Sequence, residues 1–164
     1  MKTKIHGLFK RSHHGIVLDV SLNDFDKGSI AFASILANDE DPKNFFLFYS
    51  GAQDVQWSRS SIGLATSRDG FKFQKVSGNP VLEGTANSFC CREAMTPIVT
   101  KISNRFYMIF SGRPTLKSSR RIGIAYADDP KGPWHVIGEI IKPTRLWEGV
   151  HLDNGPMLVK LDET

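Results

Sequence analysis

Cysteine is scarce in this sequence: two among 164 residues, and those two, Cys90 and Cys91, are neighbours. A disulfide between adjacent residues is strained, so a disulfide-stapled scaffold is excluded. No CxxC spacing or nearby histidine accompanies them, which excludes the common zinc patterns. We read both as buried or half-buried thiols, and expect no metal or other cofactor. Long apolar runs are also missing, so no segment reads as a membrane-spanning helix. The opening residues, MKTKIHGLFKRSHHG, contain no apolar stretch of the secretory kind. A cytoplasmic location is therefore the expectation. The net charge is only +4. Its one local basic cluster is Lys117, Arg120 and Arg121, in a Ser-rich loop. Nucleic-acid binding calls for a longer basic stripe with interleaved aromatics. The cluster reads as a solvated loop tip, and neither nucleic acid nor membrane is an expected partner.

Against these absences stands a repetition. Phe45 to Gly51 reads FFLFYSG and Arg105 to Gly112 reads RFYMIFSG, with the closing glycines 61 residues apart. Each is followed by a polar loop and a second matching block, IGLA from Ile62 and IGIA from Ile122, 60 residues apart. Hydrophobic content of 40% and charged content of 23% are those of a globular domain with a real core. A period near sixty built from short β-type runs indicates propeller blades rather than a sandwich.

The repeats can be followed strand by strand. In the first, Ile30–Leu36 is an inner strand, Asn38–Asn44 a polar turn, Phe45–Ser50 a second strand and Ser61–Thr66 a third. Asp69-Gly70 makes a hairpin turn, because glycine accepts positive φ at little cost. Phe71–Val76 is the fourth strand. The second repeat copies the order with Thr96–Ile102, Phe106–Phe110, Arg121–Tyr126 and Trp134–Ile137. Four strands per repeat is the content of one blade.

The linking segments show a second register. Phe25-Asp26 precedes the first inner strand, Phe89-Cys90 the second, and Trp147-Glu148 a further segment, Gly155–Lys160, that reads as a third. Gly15–Ser21 resembles the outer strand of a preceding blade. The fold expected is all-β, a single partial propeller domain over 1–164 made of four-stranded antiparallel blades. Its parts are an outer portion at about 1–28, blades at 29–82 and 92–142, and the start of another at 150–164. Open sheet edges favour association. A homodimer in which each chain completes the other's partial blades is the expectation.

The FYSG strand, the run IGLATSRDGFKF from Ile62 to Phe73, NPVL from Asn79 to Leu82 and ADDPKGPW from Ala127 to Trp134 carry a resemblance. They are similar to the five-bladed propeller glycosidases: arabinanases and xylosidases, invertases and levansucrases, and mannoside phosphorylases. The resemblance covers roughly residues 25–160. It implies an axial pocket for carbohydrate and hydrolysis by two carboxylates, one an acid and one a base or nucleophile. It also implies that these carboxylates sit at or just before the inner strands. The family often has Asp directly before Pro there. This chain has Thr96-Pro97 and Gly155-Pro156, whereas Asp41-Pro42 and Asp129-Pro130 fall in predicted turns. A shared fold does not establish a shared reaction. A carbohydrate-binding or assembly module that keeps the blades without hydrolysis is the alternative.

The candidate catalytic residues are Glu93, Asp26 and Asp153. Glu93 precedes an inner strand, and Arg92 beside it would lower its pKa or orient a sugar; the plain alternative is a solvated ion pair. Asp26 and Glu148 occupy equivalent repeat positions, so either would equally serve as a turn cap. Asp24 also precedes the first inner strand. Asp153 and Asn154 lie nearest the third inner strand, with an Asx turn as the alternative. Candidate substrate contacts are Arg92, Arg113, Trp147, Glu148 and Asn154. Trp57 and Trp147 offer flat faces for sugar rings, while Trp134 reads as packing and Asp69 as structural. His13 and His14 would point to opposite faces of a strand, and His151 stands alone in sequence.

Overall fold

The computed structural model describes residues 15–38, 41–149 and 152. Among the described residues eight strands form: β1 Ser29–Ala37, β2 Phe45–Ala52, β3 Ser60–Ser67, β4 Gln74–Lys75, β5 Glu93–Ile102, β6 Arg105–Arg113, β7 Arg121–Ala127 and β8 His135–Ile141. One 3₁₀ turn, Leu146–Glu148, follows. The strands make two antiparallel meanders, β1-β2-β3-β4 and β5-β6-β7-β8, in the order of the two repeats. The meanders meet in one parallel pairing, Ser60 with Glu93.

Position in the meander follows from the apolar pattern. Strand β2, FFLFYSGA, is buried along nearly its whole length, as a continuous apolar run flanked on both faces should be. One face contributes Phe46 and Phe48, which join Ile62 and Leu64 of β3. They pack against Val99, Phe106, Met108 and Phe110 of the second meander. The other face carries Leu47 and Tyr49, which pack with Leu18, Phe25, Ile30 and Phe73. Each large side chain so buried contributes about 1.5–3 kcal/mol. Trp134 closes the first cluster edge-on against Phe48, with ring centroids 5.8 Å apart.

The inner strands share an irregularity. β1 is bulged between Ala31 and Ser34, and β5 between Met95 and Ile98. Phe32 and Thr96 adopt φ of 51° and 52° there, conformations costly for residues with a Cβ. At Thr96 the bulge is held from both meanders. Its amide donates to Ser50 Oγ at 2.8 Å, and its hydroxyl lies 2.7 Å from Ser111 Oγ. These serines are the repeated S of FYSG and FSG. Pro97 fits this position because a bulge tolerates a residue that has no N–H.

The repeated glycines have equally specific neighbours. A side chain at Gly63 would collide with Tyr49 and Phe25, and one at Gly123 with Phe89. Phe25 and Phe89, the aromatics of the two linking segments, therefore each lie over the glycine of IGLA or IGIA.

Two expectations for strands change. The fourth strand begins at Gln74 rather than Phe71. Asp69 Oδ1 accepts the amides of Phe71 and Lys72, both at 2.8 Å, and so withdraws them from the ladder. Beyond β4, the Asn79 side chain takes a strand's place: its carbonyl accepts Leu64 N–H at 2.9 Å and its amide donates to Leu64 O at 3.0 Å. Gly15–Ser21 forms no strand, although Val17 O accepts Phe73 N–H at 3.3 Å. The third inner strand expected at Gly155–Lys160 lies outside the described residues.

Candidate functional site

Glu93 opens β5 and is fully buried. Its two carboxylate oxygens are divided between two guanidiniums. Arg113 at the end of β6 donates to Oε1, and Arg120 Nε donates to Oε2 at 2.9 Å. Both arginine side chains are themselves largely buried. The cross-strand register explains half of this, because Glu93 stands opposite Arg113 in the β5–β6 ladder. The β6–β7 loop then returns Arg120 to the same place. Arg92, the sequence neighbour expected to act on Glu93, is not its partner. Arg92 lies in the bend just before β5, and its side chain lines a surface cleft instead.

Asp26 is the second fully buried carboxylate. Lys75 Nζ lies 2.6 Å from Oδ2, Tyr49 donates its hydroxyl to the same oxygen at 2.9 Å, and the Ser21 amide donates to Oδ1 at 3.3 Å. Burial pushes this carboxyl up. Hydrogen bonds from Lys75, Ser21 and Tyr49, with the Lys75 charge, outweigh burial and hold it below the usual carboxylate range. Burial, and then the Asp26 charge, push the Tyr49 phenol far above its ordinary value. Glu93 is thus enclosed by two cations, and Asp26 by one cation and two neutral donors.

The cleft lies where the meanders join, at the end of the sheet where β5 starts. It measures about 720 Å³ and is lined by Arg59 ahead of β3, by Gly84, Ala86, Cys91 and Arg92 of the linking segment, and by Pro114–Lys117 of the β6–β7 loop. Leu116 is 48% exposed. Arg59 pairs with Glu83 at 2.7 Å. Among the described residues that line it, none carries a carboxylate.

Other candidates fall elsewhere. Glu148 caps the 3₁₀ turn, its Oε2 accepting the amides of Thr144 and Arg145 at 2.5 and 2.8 Å. Those backbone hydrogen bonds lower its pKa. Trp147 on the same turn is 78% exposed. Trp57 meets the half-exposed Phe32 edge-on at 6.0 Å, forming an aromatic corner at the bulge of β1. Asp153, Asn154, His13, His14 and His151 lie outside the described residues. Cys90 is buried, which raises its pKa, and both cysteines are free. Among the described residues no group of three His, Cys, Asp or Glu is arranged to hold a metal. No helix among them is long and apolar enough to cross a membrane.

Several contributors were not singled out in the sequence as site residues. Arg120 and Lys117 were visible only as members of a basic cluster, which the fold splits three ways. Lys117 lines the cleft, Arg120 binds Glu93, and Arg121 pairs with Glu139 at 2.5 Å. Arg59, Ser50 and Ser111 carried no signal beyond position in the repeat.

No protein-family model matches the sequence, and no curated protein matches it. Solved structures do. A family 117 glycoside hydrolase from Zobellia galactanivorans superposes with a TM-score of 0.57 at 17% identity, over 74% of this chain and 41% of that one. The Bombyx mori GH32 β-fructofuranosidase BmSUC1 gives 0.54 at 18%, over 73% and 24%. The exo-β-1,3-galactanase of Phanerochaete chrysosporium gives 0.53 at 20%, over 66% and 25%. The matches cover less than half of each of these proteins. The likeness is one of fold: the chain resembles part of each of these glycoside hydrolases.

Proposed function

We propose that this chain is a glycosidase-like protein that recognises carbohydrate in the cleft between its two meanders. The supporting observation is the placement of that cleft. It opens at the N-terminal end of inner strand β5, between repeats, where the family resemblance puts the axial pocket. Its apolar Leu116 and Pro114 suit the faces of sugar rings, and its arginines suit hydroxyl or acidic groups. The aromatic corner of Phe32 and Trp57 is a second surface suited to a ring.

Recognition without hydrolysis is the better-supported form of this reading. Glycoside hydrolysis needs two carboxyl groups free to face the scissile bond. Glu93 is held by two arginines and Asp26 by Lys75, Tyr49 and Ser21, and no described residue lining the cleft carries a carboxylate. The second reading, a hydrolase using Glu93 with Asp26 or Asp153, keeps its basis in the inner-strand position of Glu93. Titration calorimetry against neutral and acidic oligosaccharides, with product analysis on the same samples, tests both. Saturable binding that Arg92→Ala weakens, with no product, supports recognition alone. Product formation that Glu93→Gln abolishes while binding persists supports the hydrolase. Absence of binding to every sugar overturns the carbohydrate reading.

A further inference from the structure

We infer that the aromatic corner of Phe32 and Trp57 is a sugar subsite continuous with the cleft, so that the ligand is an oligosaccharide with one pyranose ring stacked on the corner. The inference deepens the carbohydrate reading and rests on it. Two bulky residues meet there at positive φ, 51° at Phe32 and 55° at Trp57. Side chains of that size rarely accept this conformation, and it persists only where the surroundings impose it. In the second repeat the reason is internal. Thr96, at the equivalent position of the β5 bulge, is buried and held by Ser50 and Ser111. Phe32 puts the same backbone device to a different use. Its ring is 46% exposed and meets Trp57 at an interplanar angle of 65°. Among the described residues, neither ring joins either core cluster. The strained bulge of β1 therefore presents an aromatic ring at the surface, where that of β5 fastens strands together.

The loop between β2 and β3 fixes Trp57 in place. Asp54 organises it: its carbonyl accepts the Trp57 amide at 3.3 Å, and its carboxylate accepts the Ser58 amide at 3.0 Å and the Ser58 hydroxyl. The backbone of Asp54 also lies against Gly28, just before β1, where a Cβ would come within 2.4 Å of it. The loop is thus seated on the strand that carries Phe32, and the two rings are preorganised, which lowers the cost of binding. The same loop runs into the cleft. Arg59, two residues after Trp57, lines it, and Asp54 lies in the field of Arg92, another lining residue. Two residues of chain span at most about 7 Å, so a sugar ring on the corner and one in the cleft are neighbours. A pyranose chair turns a patch of C–H groups to one side. Two aromatic rings set at an angle offer such a patch a matching apolar surface, while the cleft offers the next ring polar groups.

The test uses the whole chain and reads affinity by calorimetry and stability by melting temperature. The probes are cellobiose and cellotetraose, xylobiose and xylotetraose, and the disaccharide and tetrasaccharide of arabinan, whose rings are furanoses. We expect a pyranose tetrasaccharide to bind about tenfold or more tightly than its disaccharide, the gain from one further stacked ring. Trp57→Ala should remove that gain, and Trp57→Phe, which keeps a ring, should restore much of it. Phe32→Gly should weaken the tetrasaccharide at a melting temperature equal to or above that of the parent, because glycine relieves the positive φ. Equal affinity of the parent and Trp57→Ala for every sugar that binds overturns the corner as a subsite and leaves recognition in the cleft standing. A lower melting temperature in Phe32→Gly with unchanged affinity assigns the corner to folding and overturns it too. Tighter binding of the arabinan tetrasaccharide than of both pyranose ones overturns the pyranose assignment. No binding of any sugar overturns the carbohydrate reading beneath it.

Discussion

The amide of Thr96 donates a 2.8 Å hydrogen bond to the hydroxyl of Ser50, joining inner strand β5 to a strand of the other repeat. Both residues are buried. Ser50→Ala would leave a buried N–H unpaired at a residue already held at positive φ. The expected loss is about 1–3 kcal/mol, read as a lower urea midpoint. An unchanged midpoint would show that the bulge does not need this contact.

Glu93→Gln should destabilise the protein by about 3 kcal/mol, because two buried guanidiniums lose their counter-charge. Thermal unfolding reads the effect. Any loss of sugar binding or of reaction in this variant must therefore be measured on protein shown to be folded. A melting temperature equal to that of the parent would mean that the Glu93 charge is not needed to hold Arg113 and Arg120.

Gly123→Ala should cost about 1–3 kcal/mol through overpacking against Phe89. Phe89→Leu in the same chain should recover part of that loss. The double variant behaving as the sum of the singles would refute the proposed contact.

Asp26 makes stability depend on pH at the acid end. Its folded pKa lies below its unfolded one, so its contribution is complete above about pH 4 and is lost as pH falls through the folded value. Asp69, held at about 2 by the Lys72 and Phe71 amides and Ser67, acts in the same direction. Tyr49 has the opposite sign. Its raised pKa gives a contribution present below about pH 10 and lost as the pH rises beyond it. Denaturant midpoints measured from pH 2 to 6 should fall less steeply toward acid in Asp26→Asn than in the parent. Parallel curves would remove Asp26 from the acid response.

Association is the fifth property to measure. By repeat, Ile109, Ile122, Ile124 and Tyr126 of the second meander correspond to Phe48, Ile62, Leu64 and Thr66 of the first. The hydrophobic members of the first set are buried where the meanders meet. Ile124 and Tyr126 are only half buried, and β8 exposes Val136, Ile137, Ile140 and Ile141. We expect a second copy of the chain to cover this face, giving a dimer by light scattering that Ile137→Lys disrupts. A monomer at every concentration would overturn that expectation.

Much of this architecture was legible in the order of residues. FFLFYSG and RFYMIFSG announce paired strands because a strand buried on both faces needs an unbroken apolar run. Their spacing, with IGLA and IGIA, announces a repeated unit. Asp69-Gly70 announces its turn because a short carboxylate and a residue free at positive φ serve that geometry, and Gly70 does adopt φ of 74°. The site was less legible. Arg92 is next to Glu93 in sequence but sits in the bend before β5, and the partners of Glu93 come from 20 and 27 positions further along. The bulges at Phe32 and Thr96 carried no glycine to mark them, because a hydrogen bond from another strand, rather than local preference, sustains the one at Thr96.

The sequence by itself determined the all-β character, the sixty-residue period and the strand order, since these depend on apolar alternation and turn chemistry between near neighbours. Only the tertiary structure decided which charges meet. It sealed Glu93 and Asp26 inside cationic pairs and left Arg59, Arg92 and Lys117 around an open cleft. Ion pairing is set by which strand ends and loops come together when two meanders pack, and that distance in space is not encoded in any spacing along the chain.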